Sequence, residues 1–571
     1  MTDIVTRLRD AGQQLLQPGS SHELCTAVIN DVEVPVYANA PQTLREALAV
    51  GRAHGDQTFI VYEDEVWSFD NFFEQVDRLG YLLVSKFGIA KGDRIAIAMR
   101  NYPEWMVAYT AIISVGAVVV PLNSWGQAEE LEYGLTDAGA KMVFCDQQRL
   151  AYIAPRLLDL GISAVVVRID TDTLPDSTVE WNSLLEQALD TSLPAVEIAA
   201  DDIAMIMYTS GTTGKPKGAV STNRAICQAL YNFEFHAFAS AMANPEAIGK
   251  MMAAGHAPST LLVVPLFHVS GCFAVFMLNL RGGRKTAIMY KWDAEKALAL
   301  IAAEHITTFT GVPAMSLALL ECQAFDKTDT SSLFVLGLGG AATPPHLITM
   351  IFEKMPDAYP GTGYGLTETC ATGASCTGEA FRVLPGTAGN ISPIVAIKTV
   401  DEHGNDLPQG EAGEIYLRSP TNVREYWNLP AASNETFKDG WLATGDVGYV
   451  DENNFLFIVD RIKDMVIRGG ENIYPVEIES CIIEHPDVIE VTVYGVPHDS
   501  WGEELAATIC TATALSADDI RSWVGERLAG YKVPAHVSFQ NQALAKNATG
   551  KILKKQIRQA YLDSPERYRQ P

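Results

Sequence analysis

The feature that most constrains this chain is an apolar run, residues 203–208 (IAMIMY), followed by a loop of glycines, hydroxyl side chains and lysines, residues 208–218 (YTSGTTGKPKG). A flexible loop of this kind, directly after a buried strand, has backbone N–H groups and hydroxyls that can surround phosphate oxygens. Its lysines supply positive charge. The pattern predicts a phosphate-binding loop whose candidate contacts are Thr209, Ser210, Gly211, Thr212, Thr213, Gly214 and Lys215.

This loop differs from the Walker A loop of P-loop nucleotidases. The Walker pattern needs glycine at position 209, and it needs Ser or Thr, as a magnesium ligand, where this chain has Pro216. A P-loop nucleotidase is therefore the less favoured of two nucleotide-binding interpretations.

Helical and strand-like segments alternate on both sides of the loop. The alternation runs from about residue 42 to 190 and again from 200 to 370, which is typical of α/β architecture with largely parallel sheets. After residue 380, shorter strands and turns predict an antiparallel or barrel-like unit. We therefore expect an α/β fold with a large N-terminal domain, residues 1–462, of parallel α/β subdomains plus the small barrel-like unit. A small, mobile α+β C-terminal domain, residues 463–571, is expected to follow.

Composition narrows the class of ligand. The 571 residues carry a net charge of −27, which argues against binding to nucleic acid. An anionic nucleotide would need a local basic site, and lysines lie both in the glycine-rich loop and in a cluster near the C-terminus: Lys551, Lys554, Lys555 and Arg558. For the last three, a solvated helix face is the alternative.

Cysteine usage and hydropathy indicate the compartment. Nine cysteines without metal-ligand spacing suggest reduced thiols in the cytoplasm. The N-terminus has no signal-peptide core, and the apolar stretch from Trp105 is interrupted by Gly116 and Pro121. It predicts a buried helix and a core strand, so we expect no transmembrane segment. A homodimer is left open.

Seven further motifs follow along the chain, and in several of them the residue types indicate what they could bind. Small residues let a flat ring approach the backbone, a carboxylate can accept two hydrogen bonds from a ribose diol, and a carboxylate with phosphate oxygens can bind Mg²⁺. The motifs are residues 265–271 (PLFHVSG), 337–342 (GLGGAA), 363–368 (GYGLTE), 441–446 (WLATGD), 458–464 (IVDRIKD), 468–475 (RGGENIYP) and 546–551 (KNATGK).

With these motifs in this order, the chain from about residue 42 to 560 resembles the adenylate-forming superfamily of acyl-CoA synthetases, luciferases and peptide-synthetase adenylation domains. The resemblance implies an ATP-dependent enzyme that activates a carboxylic acid as its acyl-adenylate and transfers the acyl group to coenzyme A. ATP, Mg²⁺ and coenzyme A are the implied cofactors.

The resemblance also implies roles for single residues around the nucleotide. Asp446 and Arg461 would bind the ribose, Thr367 would contact phosphate, and Glu368 would coordinate Mg²⁺. The adenine would be lined by Gly340, Ala341, Ala342, Tyr364, Gly365 and Ile458.

Three implied roles concern the C-terminal part. Lys551 would stabilise the acid's carboxylate and the α-phosphate, because attack of one anion on another needs charge neutralisation. Lys463 would be the hinge between the domains. The loop at residues 468–475, with Gly470, would line the pantetheine channel in the thioester-forming conformation.

The acyl pocket is expected to include Phe267, His268, Val312, Gly339 and Gly340. His268 is assigned to substrate positioning, although a lone histidine after a strand is more often structural. Further contributions are expected from residues 231–238 and 310–313. These residues are mostly apolar or small, which favours a hydrophobic monocarboxylic acid, fatty or aryl-alkanoic.

Two alternatives to coenzyme A ligation remain within the family. The acyl group could pass to an amine or a carrier-protein thiol, or the adenylate could be retained as product. A non-catalytic nucleotide-binding relative is also conceivable, but such proteins usually lose the charged residues that are present here as Glu368, Asp446, Arg461 and Lys551.

Overall fold

The computed structural model describes residues 2–171, 173–209, 215–340, 343–468, 471–511, 513–547 and 550–563. Its strands are β1 (Leu24–Ile29), β2 (Val32–Tyr37), β3 (Thr58–Tyr62), β4 (Glu65–Ser68), β5 (Arg94–Ala98), β6 (Val118–Pro121), β7 (Met142–Asp146), β8 (Ser163–Val167), β9 (Thr178–Glu180), β10 (Ile203–Tyr208), β11 (Gly218–Thr222), β12 (Ser259–Leu262), β13 (Lys285–Ile288), β14 (Thr308–Gly311), β15 (Val335–Gly339), β16 (Tyr359–Tyr364), β17 (Ala374–Thr377), β18 (Gly389–Ile391), β19 (Ala396–Val400), β20 (Gly413–Arg418), β21 (Phe437–Lys438), β22 (Trp441–Val450), β23 (Phe455–Arg461), β24 (Val466–Arg468), β25 (Glu471–Ile473), β26 (Val488–His498), β27 (Gly502–Thr511) and β28 (His536–Gln540).

The α-helices are α1 (Thr2–Leu15), α2 (Leu44–Ala49), α3 (Phe69–Ser85), α4 (Pro103–Ser114), α5 (Ala128–Ala138), α6 (Gln147–Leu160), α7 (Trp181–Leu185), α8 (Asn223–Ala243), α9 (Pro245–Ala254), α10 (Val269–Gly271), α11 (Leu278–Gly282), α12 (Ala294–Ala303), α13 (Pro313–Glu321), α14 (Pro345–Lys354), α15 (Glu379–Val383), α16 (Pro430–Thr436), α17 (Pro475–Ile483), α18 (Ala517–Gly525) and α19 (Lys554–Asp563).

The first sheet has seven strands in the order β11-β10-β6-β5-β7-β8-β9. All neighbours are parallel except β10 and β11, the pair that flanks the glycine-rich loop. Strands β6 and β7 are buried at every position, as expected for apolar runs in a parallel sheet covered on both faces. The stretch from Trp105 forms the fully buried helix α4 and then β6, as the sequence predicts.

The second sheet runs in the order β19-β20-β22-β23-β18-β17-β16-β15-β14-β12-β13-β3-β4, with β21 paired to β22. Strands β3, β13, β12, β14, β15 and β16 are parallel. From β17 onward the pairing is antiparallel, so the antiparallel strands predicted after residue 380 continue this sheet. The parallel strands end where the family motifs lie, which places those motifs along one edge.

The C-terminal part has its own sheet, β25-β24-β27-β26 with β28 paired to β27. Helices α17 and α18 pack with it around a separate apolar core that includes Val466, Ile482, Val493 and Ile509. The predicted α/β fold with a smaller α+β C-terminal domain is therefore confirmed.

The first forty residues, for which the sequence made no structural prediction, pack onto helix α8. Helix α1 contacts α8, and the Arg7 guanidinium lies 2.6 Å from a Glu379 carboxylate oxygen. The backbone N–H of Tyr37, at the end of the β1–β2 hairpin, donates to Gln228 of α8. Throughout the part of the chain that the structure describes, no helix combines the length and apolarity needed to cross a bilayer.

Candidate active site

Asp446, Tyr364 and Arg461 form a hydrogen-bonded group that we call the nucleotide corner. Strand pairing sets Asp446 of β22 opposite Arg461 of β23, and Tyr364 ends β16 beside them. The Tyr364 hydroxyl donates to Asp446 Oδ2 at 2.8 Å, and Arg461 Nε lies 2.9 Å from Asp446 Oδ1. Asp446 is only 3% exposed. Burial and the Asp446 charge raise the pKa of the Tyr364 hydroxyl far above its usual range, so it remains a donor. Ile458 packs in the same apolar cluster as Tyr364.

Glu368 lies in a short 3₁₀ helix, Thr367–Thr369, that follows β16. Its Oε1 accepts a hydrogen bond from the Tyr426 hydroxyl at 2.7 Å, and its carbonyl accepts one from the Val423 N–H. Burial and the Glu368 charge raise the pKa of Tyr426, so that this hydroxyl also stays protonated. The Lys217 ammonium lies 4.5 Å from the centre of the Tyr426 ring, which links Glu368 to the base of the glycine-rich loop.

The two ends of the glycine-rich loop are held together. The Thr209 N–H donates to the Lys217 carbonyl at 2.9 Å, and Thr209 Oγ1 accepts from the Lys217 N–H. The Lys215 ammonium lies 4.8 Å from the centre of the Tyr133 ring. The predicted contacts between these ends, Ser210, Gly211, Thr212, Thr213 and Gly214, lie outside the described residues.

Glycine is required at two of the predicted adenine-side positions. A Cβ on Gly365 would lie 2.2 Å from the carbonyl carbon of Ala371, so only glycine fits there. Gly340 has φ +80°, in the left-handed region that favours glycine. Ala341 and Ala342, which follow Gly340 in the predicted turn, lie outside the described residues.

Lys551 reaches this site from the C-terminal domain on a tight loop. Its N–H donates to Asn547 Oδ1 at 2.9 Å, and its carbonyl accepts from the Asn547 N–H at the same distance. A salt bridge between Lys546 and Glu490 anchors the loop to β26. The tip of the loop touches the predicted acyl pocket, because a Cβ on Gly550 would lie 3.0 Å from Val312 Cγ2.

The surroundings of Lys551 lower the pKa of its ammonium. Burial and the nearby Arg461 lower the pKa of the ammonium to about 8, against the opposing effect of Asp446. His268 is close enough that burial, together with Lys551, lowers the pKa of its imidazole to about 4. The Ser270 N–H points to His268 Nδ1, and the Ser270 hydroxyl lies 2.9 Å from the same nitrogen. A neutral imidazole and an ammonium thus lie near each other.

The predicted hinge lies in a second short 3₁₀ helix, Ile462–Asp464, directly after β23. Just before it, Asp460 Oδ2 accepts a hydrogen bond from the Val476 N–H at 3.0 Å, across the start of the C-terminal sheet. Gly470, predicted to line the pantetheine channel, lies outside the described residues.

Some predicted residues have other partners. Tyr231 and Phe235, expected near the acyl pocket, pack against His22 and Tyr37 of the N-terminal segment, in the same apolar cluster as Tyr364. In the C-terminal basic cluster, Lys554 Nζ lies 2.8 Å from Glu479 Oε1, and the Arg558 side chain donates to the Gly495 carbonyl. These two cations serve internal contacts rather than a nucleotide.

Tyr426 is the residue that sequence reasoning missed. It is separated from Glu368 by 58 residues and belongs to no motif that the sequence singles out. A signal was nevertheless available, since residues 425–427 (EYW) follow a strand of the antiparallel unit that precedes the WLATGD motif.

Comparison with known proteins identifies the family. The model of AMP-binding enzymes matches residues 48–427, and that of the AMP-binding enzyme C-terminal domain matches residues 477–551. The chain therefore belongs to the AMP-binding enzyme family, which confirms the resemblance drawn from its motifs.

Individual relatives indicate which class of AMP-binding enzyme the chain resembles. The chain is 35% identical over 486 residues to the long-chain-fatty-acid–CoA ligase FadD13 of Mycobacterium tuberculosis, covering 84% of this chain and 90% of that protein. It is 31% identical over 477 residues to a feruloyl-CoA synthase of an Amycolatopsis species, covering 83% and 90%. The crystal structure of ATP-bound MatB from Rhodopseudomonas palustris matches with a TM-score of 0.78 at 28% identity, covering 90% of this chain and 99% of that chain.

These relatives define an acyl-CoA synthetase. The protein is an AMP-forming acid–thiol ligase whose substrates include ATP and coenzyme A.

Proposed function

We propose that the enzyme activates a hydrophobic monocarboxylic acid, fatty or aryl-alkanoic, as its acyl-adenylate and then transfers the acyl group to coenzyme A. The observation that carries the proposal is the position of Lys551. Its half-buried side chain, from the C-terminal domain, lies close enough to Arg461, Asp446 and His268 for electrostatic interaction. A mobile cation at the junction of a nucleotide corner and an apolar pocket suits the joining of two anions.

The nucleotide corner would hold the nucleoside. Asp446 already accepts from Tyr364 and Arg461, but a carboxylate has about four lone-pair positions and can also accept from ribose hydroxyls. The pairing with Arg461 and Tyr364 fixes the carboxylate before the nucleotide arrives. The adenine would stack beside Tyr364 and Ile458.

Glu368 would be a ligand of the Mg²⁺ ion that enters the site with ATP. Tyr426 occupies only Oε1, so Oε2 is left for a cation. Among the residues described, no cluster of three or more His, Cys, Asp or Glu side chains could hold a metal. A single carboxylate therefore suits a cation held mainly by phosphate oxygens and water. The bound ion would neutralise phosphate charge.

Both steps would proceed through positioning and electrostatics. In the first, a carboxylate oxygen attacks the α-phosphorus, and the bond to pyrophosphate breaks while Lys551 offsets the charge that develops. The His268 imidazole would form a hydrogen bond to the acid and orient it. In the second, the coenzyme A thiolate attacks the acyl carbon, and the bond to AMP breaks. No protein nucleophile is needed.

Alternation between the steps would occur at Lys463. The described conformation has Lys551 in the site, which suits adenylation. Rotation of a C-terminal domain beginning at residue 463 would withdraw Lys551 and bring the loop at residues 468–475, with Gly470, toward the site. We further propose a cytoplasmic enzyme.

The acid class is supported by the pocket and by two relatives. Val312 and Phe267 are apolar, and the relatives named above are a long-chain-fatty-acid ligase and a feruloyl-CoA synthase. The decisive measurement is ATP–pyrophosphate exchange across a panel of acids, followed by thioester formation with coenzyme A. Exchange that needs no acid would contradict the proposal. Transfer only to an amine or a carrier thiol would favour the alternative acceptor.

A further inference from the structure

One face of strands β14 and β15 is open, although both lie in the middle of the second sheet. On the other face, Phe309, Leu336 and Leu338 are at most 1% exposed. The alternating positions on the open face are all partly exposed: Thr308, Thr310, Val335, Gly337 and Gly339. Partial exposure confined to one face means that space, rather than packed side chains, lies over these strands.

Two helices border this space without covering it. Helix α8 rests on β16, where the Tyr359 hydroxyl donates to the Ser240 carbonyl at 2.9 Å. Helix α11 rests on β12, where Thr260 Oγ1 donates to Asn279 Oδ1 at 3.2 Å. The strand register puts both contacts on the open face. Because β14 and β15 lie between β12 and β16, the two contacts are about 14 Å apart, and a channel runs between the helices.

The channel leads to Lys551. At its upper end a Cβ on Gly339 would meet nothing within 4 Å, and Gly340 and Val312 border this opening. The Lys551 loop touches Val312 through Gly550. From Gly339 to Val335 the channel descends about 13 Å along β15. The hydrocarbon chain of an acid whose carboxylate is bound at Lys551 would extend into this channel.

The channel is not lined only by apolar groups. Thr310 and Thr308 face it at two depths, about 7 Å apart. Neither hydroxyl has a hydrogen-bond partner among the described side chains and backbone. Gly337 keeps the first one accessible, because a Cβ there would lie 2.8 Å from Thr310 Oγ1.

From this lining we infer that the preferred acid carries a hydroxyl or carbonyl oxygen on its chain, at the depth of Thr310. The inference rests on the proposed function and names its substrate more closely. A plain alkyl chain would displace water from the Thr310 hydroxyl without replacing its hydrogen bond, whereas an oxygenated chain would replace it. Sites that offer such a buried partner reject analogues lacking it more strongly than apolar pockets reject a change in length.

The test is acid-dependent ATP–pyrophosphate exchange with the full-length protein, comparing decanoic acid with hydroxydecanoic acids substituted at each position from 3 to 10. We expect one interior position to exceed decanoic acid at least tenfold in kcat/KM. Thr310→Val, which keeps the shape, should erase that advantage, and Thr310→Ser should restore most of it. Thr58→Val, on the exposed start of β3, is the matched control, and circular dichroism checks folding.

The outcomes separate two claims. A wild-type preference for decanoic acid over every hydroxy acid would overturn the inference, as would an equal effect of Thr310→Val on both kinds of acid. Exchange that no acid stimulates would instead overturn the proposed adenylation itself.

Discussion

The nucleotide corner and the Lys551 loop hold their charges in opposite ways. In the corner, both oxygens of Asp446 are engaged by Tyr364 and Arg461 of the same domain. The Lys551 loop fixes the backbone through Asn547, yet within the described residues no carboxylate lies within salt-bridge distance of the Lys551 ammonium. The first region thus holds its carboxylate with partners from one domain, whereas the lysine of the second has no carboxylate in direct contact among the described residues.

This difference has a physical cause. A buried carboxylate that stays in place needs permanent partners, because an unpaired buried charge is costly. If Lys551 enters and leaves the site, as the proposed alternation requires, a permanent partner there would slow the exchange. Changes in the corner should therefore weaken binding, whereas changes in the Lys551 loop should act on one chemical step.

The sharpest test removes the Lys551 charge. In Lys551→Ala, adenylation should fall by about 10²–10³-fold, the typical cost of removing one electrostatic contact to a transition state. Thioester formation from supplied acyl-AMP should be spared. Pyrophosphate exchange and thioester formation are measured on one preparation, with Lys555→Ala, an exposed lysine on the adjoining helix, as the control. Equal losses in both steps would remove the distinction between the two regions.

Lys463→Pro tests whether the second region moves. Lys463 lies in the 3₁₀ helix Ile462–Asp464. Residues of 3₁₀ helices have φ of about −50 to −70°, and proline fixes φ near −65°. We therefore expect proline to be compatible with this conformation and to oppose rotation out of it. We expect acyl-AMP formation to survive and transfer to coenzyme A to fall about 100-fold, as for a misplaced reacting group.

The control for the Lys463→Pro variant is a check that it folds normally. Circular dichroism should be unchanged in Lys463→Pro. A folded variant with normal transfer to coenzyme A would show that Lys463 is an ordinary linker residue, and it would move the domain boundary away from residue 463.

The pH dependence should report the second region and not the first. The pKa of Lys551 is lowered to about 8, whereas those of Tyr364 and Tyr426 are raised far above it. Lys551 acts in its charged form, so activity is present below this pKa and lost as pH rises through it. The kcat/KM for ATP in the adenylation step should fall about tenfold between pH 7 and 9.

An arginine at this position would identify the titrating group. Arginine stays charged throughout this range, so Lys551→Arg should have lower activity but no loss between pH 7 and 9. The same decline in both proteins would assign the pH effect to another group.

Local sequence signals predict which segments form the site better than they predict the contacts between those segments. Apolar runs such as residues 203–208 and the glycine-rich loops are local signals, and the family resemblance follows from their order. The contact of Tyr231 and Phe235 with the N-terminal segment could not be predicted, because helical spacing does not say which neighbour covers a face. The bond from Tyr426 to Glu368 also could not be predicted, because it depends on the pairing of the Tyr426 segment with Ala219 of β11.

Tyr426→Phe tests Glu368, a second carboxylate that accepts from a tyrosine hydroxyl, and should have the smallest effect. The substitution removes only the hydroxyl that donates to Glu368 Oε1 and keeps the ring beneath Lys217. If Glu368 binds Mg²⁺, its carboxylate loses orientation, and the Mg²⁺ concentration needed for ATP binding should rise about fivefold. That corresponds to a hydrogen bond of about 1 kcal/mol. Calorimetric titration of ATP at several Mg²⁺ concentrations measures this directly.

Tyr449→Phe, whose ring stacks on Phe457, is the control. A lower melting temperature with unchanged Mg²⁺ dependence would make Tyr426 a structural residue.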